Sequence, residues 1–597
     1  MSSPYRDAET APAPAGTTRH ALLDELVHQF SDPYAFYREL VQNSIDAGSP
    51  RVDVALRWQP SGGRGLATIC VADQGSGMTR VVIEEYLLTK FRSTKEGDAT
   101  KIGKFGIGFL SVLAPAPELV VVETAARGAD GAAALAERWR LLLQPDLTYE
   151  LLHEPGAAPG TRVVLHKEVD AEAWRALRAA SREAVWRWCR HAEVEVTFVA
   201  DGEDGALGGA PERVNEPLAV DAPFQVEQRA EGLTIVAGPA RGAASGSFYK
   251  RGLLLEQTSG DAIVPGVAFK VVGQHLAHTL ARDRVRRDAA WEAALRQLRA
   301  LCRGPLVARL REEVRAVAHI GAPERDDDLA VLLGHAARTL RPRDLFFPLA
   351  AGGAVDGVAL RRAARRAGAV LHAPRGSALA AALEREGVRV LSSDHARVLS
   401  RAVDVAAVGG RPAAEVFTLC SEDAADAAPP GGPALVTALE PLLRAIGARS
   451  ARAFVGTVEG VGADRVAVLC DAPGRALPGT RALRSPFALF APRTLCLNRS
   501  LDIVQAALRV AERAPATAAL LCARLVAAAS NALSERADRR VTEAALSGGG
   551  EGGGGDACGG GGAGGGAGGG GSAAGGGGAA RGGDAGGGGG ARAELGS

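Results

Sequence analysis

The N-terminal part of the chain contains five short segments in which apolar residues alternate with polar residues or run together. These segments are RVDVALRW, LATICVAD, ELVVVET, ERWRLLL and TRVVLHKE. Their length and their content of valine, leucine and isoleucine predict β-strands. A helical spacing of apolar residues precedes them between Pro33 and Ala47. Residues 19–168 are therefore predicted to form an α/β sandwich, with helices layered on a mainly antiparallel sheet.

Patterns further along the chain predict additional folding units, because 597 residues exceed what one hydrophobic core supports. Residues 169–320 mix long helical segments with strands such as EVEVTFVA and SFYKRGLLLEQ, which predicts a middle α/β domain. Residues 330–425 alternate helix with short strand and predict a small α/β subdomain. Residues 430–546 end in long segments rich in alanine and leucine, which predict a mainly helical C-terminal domain. The predicted fold class is α+β multidomain.

Both ends of the chain differ from the rest in composition. Residues 1–18 are polar and are predicted to be a flexible N-terminus. Residues 547–597 are nearly all glycine and alanine. Glycine loses the most conformational entropy on folding and offers no side chain to bury, so this tail is predicted to be disordered.

Overall composition is that of a globular protein, with 47% apolar and 23% charged residues and a formal net charge of +1. A nearly neutral chain has no general attraction to nucleic acid, which argues against a nucleic-acid partner. The cysteines form no C-x-x-C pair, and no apolar run approaches a membrane span. The polar N-terminus lacks the pattern of a signal peptide. We therefore expect a cytoplasmic protein without a membrane partner.

The first candidate functional motif lies on the predicted helix, in FYRELVQNSIDAG. Glu39, Asn43 and Asp46 are spaced i, i+4 and i+7, which places them on one helical face. A carboxylate that faces a phosphate could accept a proton from an attacking water. The amide oxygen of Asn43 could be a hard ligand for Mg²⁺. A merely polar helix face is the alternative interpretation of this motif taken alone.

The second motif, VADQGSGMT, closes an apolar strand with Asp73 and continues through Gly75, Gly77 and Met78. Glycines in such a turn let a flat base approach the backbone because they have no side chain. A buried aspartate that accepts a hydrogen bond from an exocyclic amine would select adenine. The motif therefore suggests a site for an adenine base.

The third motif is the glycine-rich stretch KIGKFGIGFLSVLA, which precedes an apolar helix. Free backbone N–H groups at a helix start, together with the helix dipole, can bind phosphate oxygens. Its candidate binding residues are Gly103, Lys104, Phe105, Gly106, Ile107, Gly108 and Phe109. Further on, Thr161 opens a strand after Gly160, where its hydroxyl could reach the base. An ordinary strand residue is the alternative for Thr161.

In order and spacing, these motifs together resemble the four nucleotide motifs of the gyrase, heat-shock-protein-90, histidine-kinase and MutL (GHKL, Bergerat) ATPases. The resemblance implies that the protein binds ATP and Mg²⁺ and hydrolyses ATP. It also implies that Glu39 is the general base, that Asn43 is the Mg²⁺ ligand and that Asp73 recognises adenine. The remaining motif residues, including Asp46 and Thr161, would contact ATP. Residues 79–102 would form a lid over the nucleotide.

Within this superfamily, the chain most resembles the heat-shock-protein-90 (HtpG-like) chaperones. GTRVVLHKE and IGKFGIGFLS are similar to a strand and a glycine loop of that family, and FYKRGLLLEQ is similar to a strand of its middle domain. HTLARDRVRRD lies where the family supplies an arginine to the terminal phosphate, and Arg282 is the matching position, although Arg284, Arg286 and Arg287 lie close by. The resemblance implies an ATP-dependent homodimeric chaperone whose partners are unfolded or partly folded client proteins.

Three alternative functions stay open. NSIDAG is also similar to the corresponding motif of MutL and the DNA gyrases, which would make the protein an ATPase of DNA transactions. The nearly neutral charge counts against this alternative. A histidine kinase would need a phospho-accepting histidine on a dimerisation helix upstream. Only His20 and His28 precede the motif helix, which leaves no room for such a helix and counts against this alternative. A nucleotide-gated scaffold without turnover is the third alternative.

Overall fold

A computed structural model describes residues 32–88, 107–126, 137–146, 148–155, 158–279, 284–422, 428–449 and 452–547. Several expectations lie outside these residues. They are the flexible N-terminus, nearly all of the glycine-rich tail, most of the predicted lid, Gly103 to Gly106 of the glycine-rich loop, and Arg282.

The N-terminal part of the structure is built on an eight-stranded sheet in the order β5-β4-β3-β6-β2-β1-β7-β8. Its strands are β1 Arg51–Ser61, β2 Arg64–Asp73, β3 Leu119–Ala125, β4 Arg138–Leu143, β5 Tyr149–Glu154, β6 Gly160–Asp170, β7 Glu195–Ala200 and β8 Glu212–Arg213. Neighbouring strands are antiparallel except β1 and β7, which are parallel. The sheet is thus mixed, and the five strands predicted from alternation are all present.

Two helices cover one face of this sheet, Phe36–Asp46 (the motif helix) and Ala171–Cys189. Alternate β1 residues are buried beneath them, from Val52 to Trp58, because successive strand residues point to opposite faces. Trp58 stacks on Trp174 with ring centroids 5.7 Å apart. The helix layer therefore holds the motif helix firmly against the sheet that carries Asp73.

Among the described residues, four short helical turns belong to this part of the structure, and the last two of them contact the motif helix. They are Arg80–Val82, the π-helical turn Ile83–Leu88, Ile107–Leu110 and the 3₁₀ turn Ser111–Leu113. The apolar helix expected after the glycine-rich motif is thus only a short turn, which Ser111–Leu113 continues with tighter winding. The Ser111 hydroxyl donates a hydrogen bond to the Gly108 carbonyl (2.5 Å), which closes this turn.

A second sheet follows in the order β12-β11-β13-β10-β9. Its strands are β9 Val226–Ala230, β10 Leu233–Pro239, β11 Ser245–Lys250, β12 Leu253–Ser259 and β13 Val267–Gly273. SFYKRGLLLEQ, expected to be one strand, is instead a hairpin, because Arg251 and Gly252 adopt positive φ (50° and 77°) and reverse the chain. The helices Ala289–Arg303 and Pro305–Ile320 pack nearby, and Pro305 separates them because it cannot continue the helix hydrogen bonding.

The remaining part contains smaller sheets and further helices. The helices are Asp326–Thr339, Gly357–Ala367, Ala378–Arg385, Ala396–Ala406, Gly432–Ala445, Asp502–Ala511, Pro515–Ala529 and Glu535–Ser547, with a short turn Gly479–Ala482. The strands are β14 Phe346–Pro348, β15 Ala354–Asp356, β16 Val370–Ala373, β17 Leu391–Ser392, β18 Gly410–Pro412, β19 Phe417–Glu422, β20 Arg452–Gly460, β21 Ala467–Cys470, β22 Ala476–Pro478 and β23 Thr494–Asn498. None of the helices among the described residues has the length and apolar character needed to cross a bilayer.

The C-terminal region is less helical than predicted, because a five-stranded sheet in the order β21-β23-β20-β19-β22 lies beside its helices. Two sheets also extend across predicted boundaries. β7 and β8 continue the first sheet beyond residue 168, and β19, from before residue 425, pairs with β20. The division of the chain into folding units stays a prediction.

Candidate nucleotide site

The motif helix presents its three candidate residues to one cavity of about 250 Å³. Glu39, Asn43 and Asp46 all line it, as the helical spacing predicts. Their environments differ, because Glu39 is buried whereas Asn43 and Asp46 are exposed at the mouth. The helix therefore places one carboxylate deep in the cavity and two polar side chains nearer to solvent.

Glu39 is buried beside a cation. The Arg38 guanidinium approaches the Glu39 carboxylate at 3.4 Å, and both side chains are almost fully buried. Burial lowers the pKa of Arg38 to about 10, so this side chain is still positively charged at neutral pH. Arg38 also lies over the ring of Trp188 at 4.6 Å, which adds a cation–π contact. The two buried charges are therefore paired, as buried charges in proteins generally are.

Asp73 lies at the end of β2 and lines the cavity. The Ser44 hydroxyl donates to Asp73 Oδ2 at 3.0 Å. The backbone N–H groups of Gly75 and Thr161 donate to Oδ1 at 2.8 and 3.3 Å. These donors fix the orientation of the carboxylate, and its remaining lone pairs can accept a hydrogen bond from an amine inside the cavity.

Thr161 lines the cavity and belongs to a small hydroxyl network across β3 and β6. Thr124 and Thr161 are paired residues of these strands, and their hydroxyl oxygens are 3.1 Å apart. The Met78 N–H donates to the Thr124 hydroxyl at 2.9 Å, which attaches the loop after Asp73 to the sheet. The network orients the Thr161 hydroxyl next to Asp73.

Three glycines make close backbone approaches around Asp73. A Cβ on Gly77, whose φ is 66°, would lie 1.9 Å from the Ala125 carbonyl oxygen. A Cβ on Gly160, whose φ is 140°, would lie 2.3 Å from the Asp73 carbonyl oxygen. A Cβ on Gly75 would lie 2.7 Å from that of Ala47. A side chain at these positions would clash with the sheet or with the motif helix. Glycine is therefore required here even without a bound base.

Apolar side chains complete the cavity wall. The candidate residues Met78 and Phe109 line it, together with Leu40, Val71, Val82, Leu87, Val122 and Val163. A flat aromatic base fits such surroundings, in which apolar walls accompany one oriented polar group. Gly108 also lines the cavity. Ile107 begins the short helix, and the side chain of Ile107 lies outside the described part.

Asp46 makes a contact that the sequence did not reveal. Arg251, at the tip of the β11–β12 hairpin, donates to the Asp46 carboxylate at 2.8 Å and lies 3.5 Å from Glu193. The end of the motif helix is thereby connected to the second sheet. Two of the arginines near Arg282 have partners among the described residues. Arg286 pairs with Asp288 in its own segment, and Arg287 pairs with Glu256 on β12.

Sequence reasoning missed Ser44, Thr124 and Arg251. Ser44 follows Asn43 directly, so its place inside the motif was an available signal. Thr124 and Arg251 had no local signal, because strand pairing and a long-range ion pair bring them to the site.

The residues present fit a Mg²⁺ ion only in company with a nucleotide. No group of three or more acidic, histidine or cysteine side chains that could hold a metal occurs among the described residues. The amide oxygen of Asn43 at the cavity mouth suits a hard cation that takes most of its other ligands from phosphate oxygens and water.

The sheet, the covering helix layer and the cavity around Asp73 define a nucleotide-binding ATPase domain. Residues 36–137 match the family described as histidine kinase-, DNA gyrase B- and HSP90-like ATPase. The chain carries a domain of this family.

Curated relatives include chaperone proteins named HtpG. The protein of Methylobacterium sp. (strain 4-46) is 31% identical over 210 residues, which cover 31% of this chain and 33% of the relative. The protein of Rhodospirillum rubrum is 30% identical, covering 33% and 34%. The protein of Shewanella amazonensis is 27% identical, covering 32% and 33%. The chain thus matches about a third of the length of these relatives.

Proposed function

We propose that the protein is an ATP-dependent chaperone that binds and hydrolyses ATP to drive conformational changes on unfolded or partly folded client proteins. The observation that carries the proposal is the Asp73 carboxylate, which Ser44, Gly75 and Thr161 orient toward a cavity that Glu39 and Asn43 also line. The relation to HtpG chaperones over a third of the chain supports the chaperone part.

In this proposal, the exocyclic amine of adenine donates a hydrogen bond to Asp73. The base then lies against the apolar wall of the cavity, near Met78 and next to the Thr161 hydroxyl. The phosphates then extend along the motif helix toward Asn43. Mg²⁺ held by Asn43 and phosphate oxygens would neutralise charge on the transferred phosphoryl group. Glu39 accepts the proton of the attacking water.

The resemblance to the family assigns roles in the site to further residues. Gly103 to Phe109 would hold the phosphates, Asp46 would contact ATP, and Arg282 would reach the terminal phosphate. Of these, Gly103 to Gly106 and Arg282 lie outside the described residues.

Homodimer formation through the C-terminal helices is part of the proposal. Apolar side chains are exposed on two of these helices, with Ile503 at 46%, Val510 at 39% and Leu521 at 47%. Burial against a second copy would remove this apolar surface from water. Sedimentation of the wild type and of an Ile503→Ser/Leu521→Ser variant tests this, and a wild-type monomer at micromolar concentration contradicts it.

The deciding experiment measures ATP turnover with and without an aggregation-prone unfolded client while client aggregation is scored. Wild type is compared with Glu39→Gln and with the control Glu183→Gln, which removes an exposed carboxylate from the helix Ala171–Cys189. We expect Glu39→Gln to bind ATP normally but to lose turnover by at least about a hundredfold. Turnover and client protection should persist in the control.

Other outcomes favour other functions. Equal turnover by wild type and Glu39→Gln contradicts the role of Glu39. Turnover that ignores client and responds to DNA in a salt-dependent manner favours an ATPase of DNA transactions. ATP binding without any turnover favours a nucleotide-gated scaffold.

A further inference from the structure

A second, larger cleft adjoins the nucleotide cavity. Its volume is about 910 Å³, and it lies between the motif helix and the second sheet. Gln42 and Asp46 line both the cleft and the cavity. A cleft of this size is within the usual range for small-molecule sites.

Some charged side chains that line the cleft have an ion-pair partner and others do not. Its acidic side chains, Asp46 and Glu193, both contact the Arg251 guanidinium. Arg229 forms an ion pair with Glu227 in its own strand. Lys250 and His275 have no hydrogen-bond or ion-pair partner within the part of the chain that the structure describes. The cleft therefore keeps a surplus of positive charge and of hydrogen-bond donors.

His278 adds a buried polar atom without a partner. Its Nδ1 is buried and has no hydrogen bond among the described residues. Burial, with a smaller contribution from Arg38 and Lys250, lowers the pKa of His278 to about 3, so the ring is neutral at pH 7. A buried polar atom left without a partner costs about 1–3 kcal/mol. Because Nδ1 is shielded from solvent, a ligand in the cleft would reach this atom only after the ring had turned.

We propose that this cleft binds a phosphate-type oxyanion through Lys250 and His275. The lysine ammonium supplies a compact positive charge that suits phosphate oxygens. Two sources of the oxyanion have this chemistry, namely phosphate leaving the adjacent nucleotide cavity and the phosphate group of a separate small molecule. Binding itself does not depend on ATP hydrolysis.

Calorimetric titration of the full chain tests the site, with inorganic phosphate and inorganic pyrophosphate as probes. Titrations are made without nucleotide and with ADP at saturation. We expect binding of at least one probe in both conditions. A Lys250→Gln/His275→Gln variant should bind it about tenfold more weakly, because it loses a charged hydrogen bond. Arg296→Gln, a matched loss of positive charge on the helix Ala289–Arg303, should bind like wild type.

Two results overturn the proposal. One is an absence of probe binding when ADP is saturating, which would place any binding in the nucleotide cavity. The other is equal affinity of wild type and the Lys250→Gln/His275→Gln variant. The ADP titration separates this inference from the proposed function. If the wild type does not bind ADP, the ATPase proposal is contradicted, but the probe titration without nucleotide still tests the cleft.

The source of the oxyanion is then found from single-turnover kinetics. If the cleft receives phosphate from the nucleotide cavity, the Lys250→Gln/His275→Gln variant changes the rate of phosphate release relative to hydrolysis. If the oxyanion belongs to a separate ligand, release is unchanged although probe binding is weakened.

Discussion

The Arg251 guanidinium donates a hydrogen bond of 2.8 Å to the carboxylate of Asp46. Arg251 belongs to the second sheet, and Asp46 ends the motif helix of the nucleotide-binding domain. The backbones also meet here, because the Glu193 N–H donates a hydrogen bond to the Arg251 carbonyl at 3.2 Å. The approach is so close that a Cβ on Gly252 would lie 1.7 Å from the His191 carbonyl oxygen. The hairpin tip therefore couples the second sheet to the candidate site.

A double-mutant cycle with Arg251→Met and Asp46→Asn should measure this coupling. Both side chains are about half exposed, so we expect an interaction free energy of roughly 0.2–1 kcal/mol that decreases with added salt. Urea unfolding of the four proteins supplies the values. Arg229→Met, in place of Arg251→Met, is the control and should show no coupling to Asp46. Zero coupling for the Arg251 pair at low salt would contradict a functional connection.

Replacing Asp73 by asparagine should abolish nucleotide binding. The change keeps the size of the side chain but turns one acceptor oxygen into an NH₂ group, which opposes the donors that surround it or the amine of adenine. Calorimetric titration with ADP should show an affinity loss of at least about a hundredfold.

Asp53→Asn is the matched control for Asp73→Asn, because Asp53 lies on β1 away from the cavity and pairs with Arg51. Its ADP affinity should equal that of wild type. Thermal unfolding of both variants checks that the loss in Asp73→Asn reflects the site. Wild-type ADP affinity in Asp73→Asn would exclude Asp73 as the adenine-binding residue.

Two glycine substitutions separate backbone conformation from close contact. Gly62 and Gly77 have similar positive φ values, 55° and 66°, but a Cβ on Gly62 would meet nothing within 4 Å. Gly62→Ala should cost only the conformational penalty of about 1–2 kcal/mol. Gly77→Ala adds a clash with Ala125 and should cost clearly more, by about 1–3 kcal/mol. Equal unfolding free energies in urea would mean that the Gly77 loop can move away without cost.

Stability should depend on pH through His278. The pKa of His278 is lowered to about 3 in the folded protein, against 6.5 ordinarily. Between these values the unfolded chain binds the extra proton, so this contribution to stability is fully present above pH 6.5 and is lost as the pH falls. The uptake of one proton on unfolding changes the unfolding free energy by at most about 1.4 kcal/mol per pH unit.

His278→Gln should therefore flatten the rise of the unfolding free energy between about pH 5 and pH 6.5. Urea unfolding at several pH values measures the slope. His319→Gln, at an exposed histidine on the helix Pro305–Ile320, is the control and should keep the wild-type slope. An unchanged slope in His278→Gln would mean that His278 titrates alike in the folded and unfolded chain.

Local patterns in the sequence determined much of the N-terminal part. Alternation of apolar residues predicted the strands from Arg51 to Glu168, because burial of one sheet face forces a period of two. Helical spacing brought Glu39, Asn43 and Asp46 to one cavity, because positions one turn apart share a helix face. The motif around Asp73 likewise indicated a nucleotide site, with which the match of residues 36–137 agrees.

Only the tertiary structure decided contacts between segments distant along the chain. Thr124 meets Thr161 because β3 pairs with β6 in one register, and no local pattern specifies that register. The hairpin at Arg251 depends on two successive positive φ angles in a segment whose apolar pattern resembles one strand. The ion pair with Asp46 and the cleft beside it arise from packing of the second sheet against the motif helix, which depends on the whole fold and not on neighbouring residues.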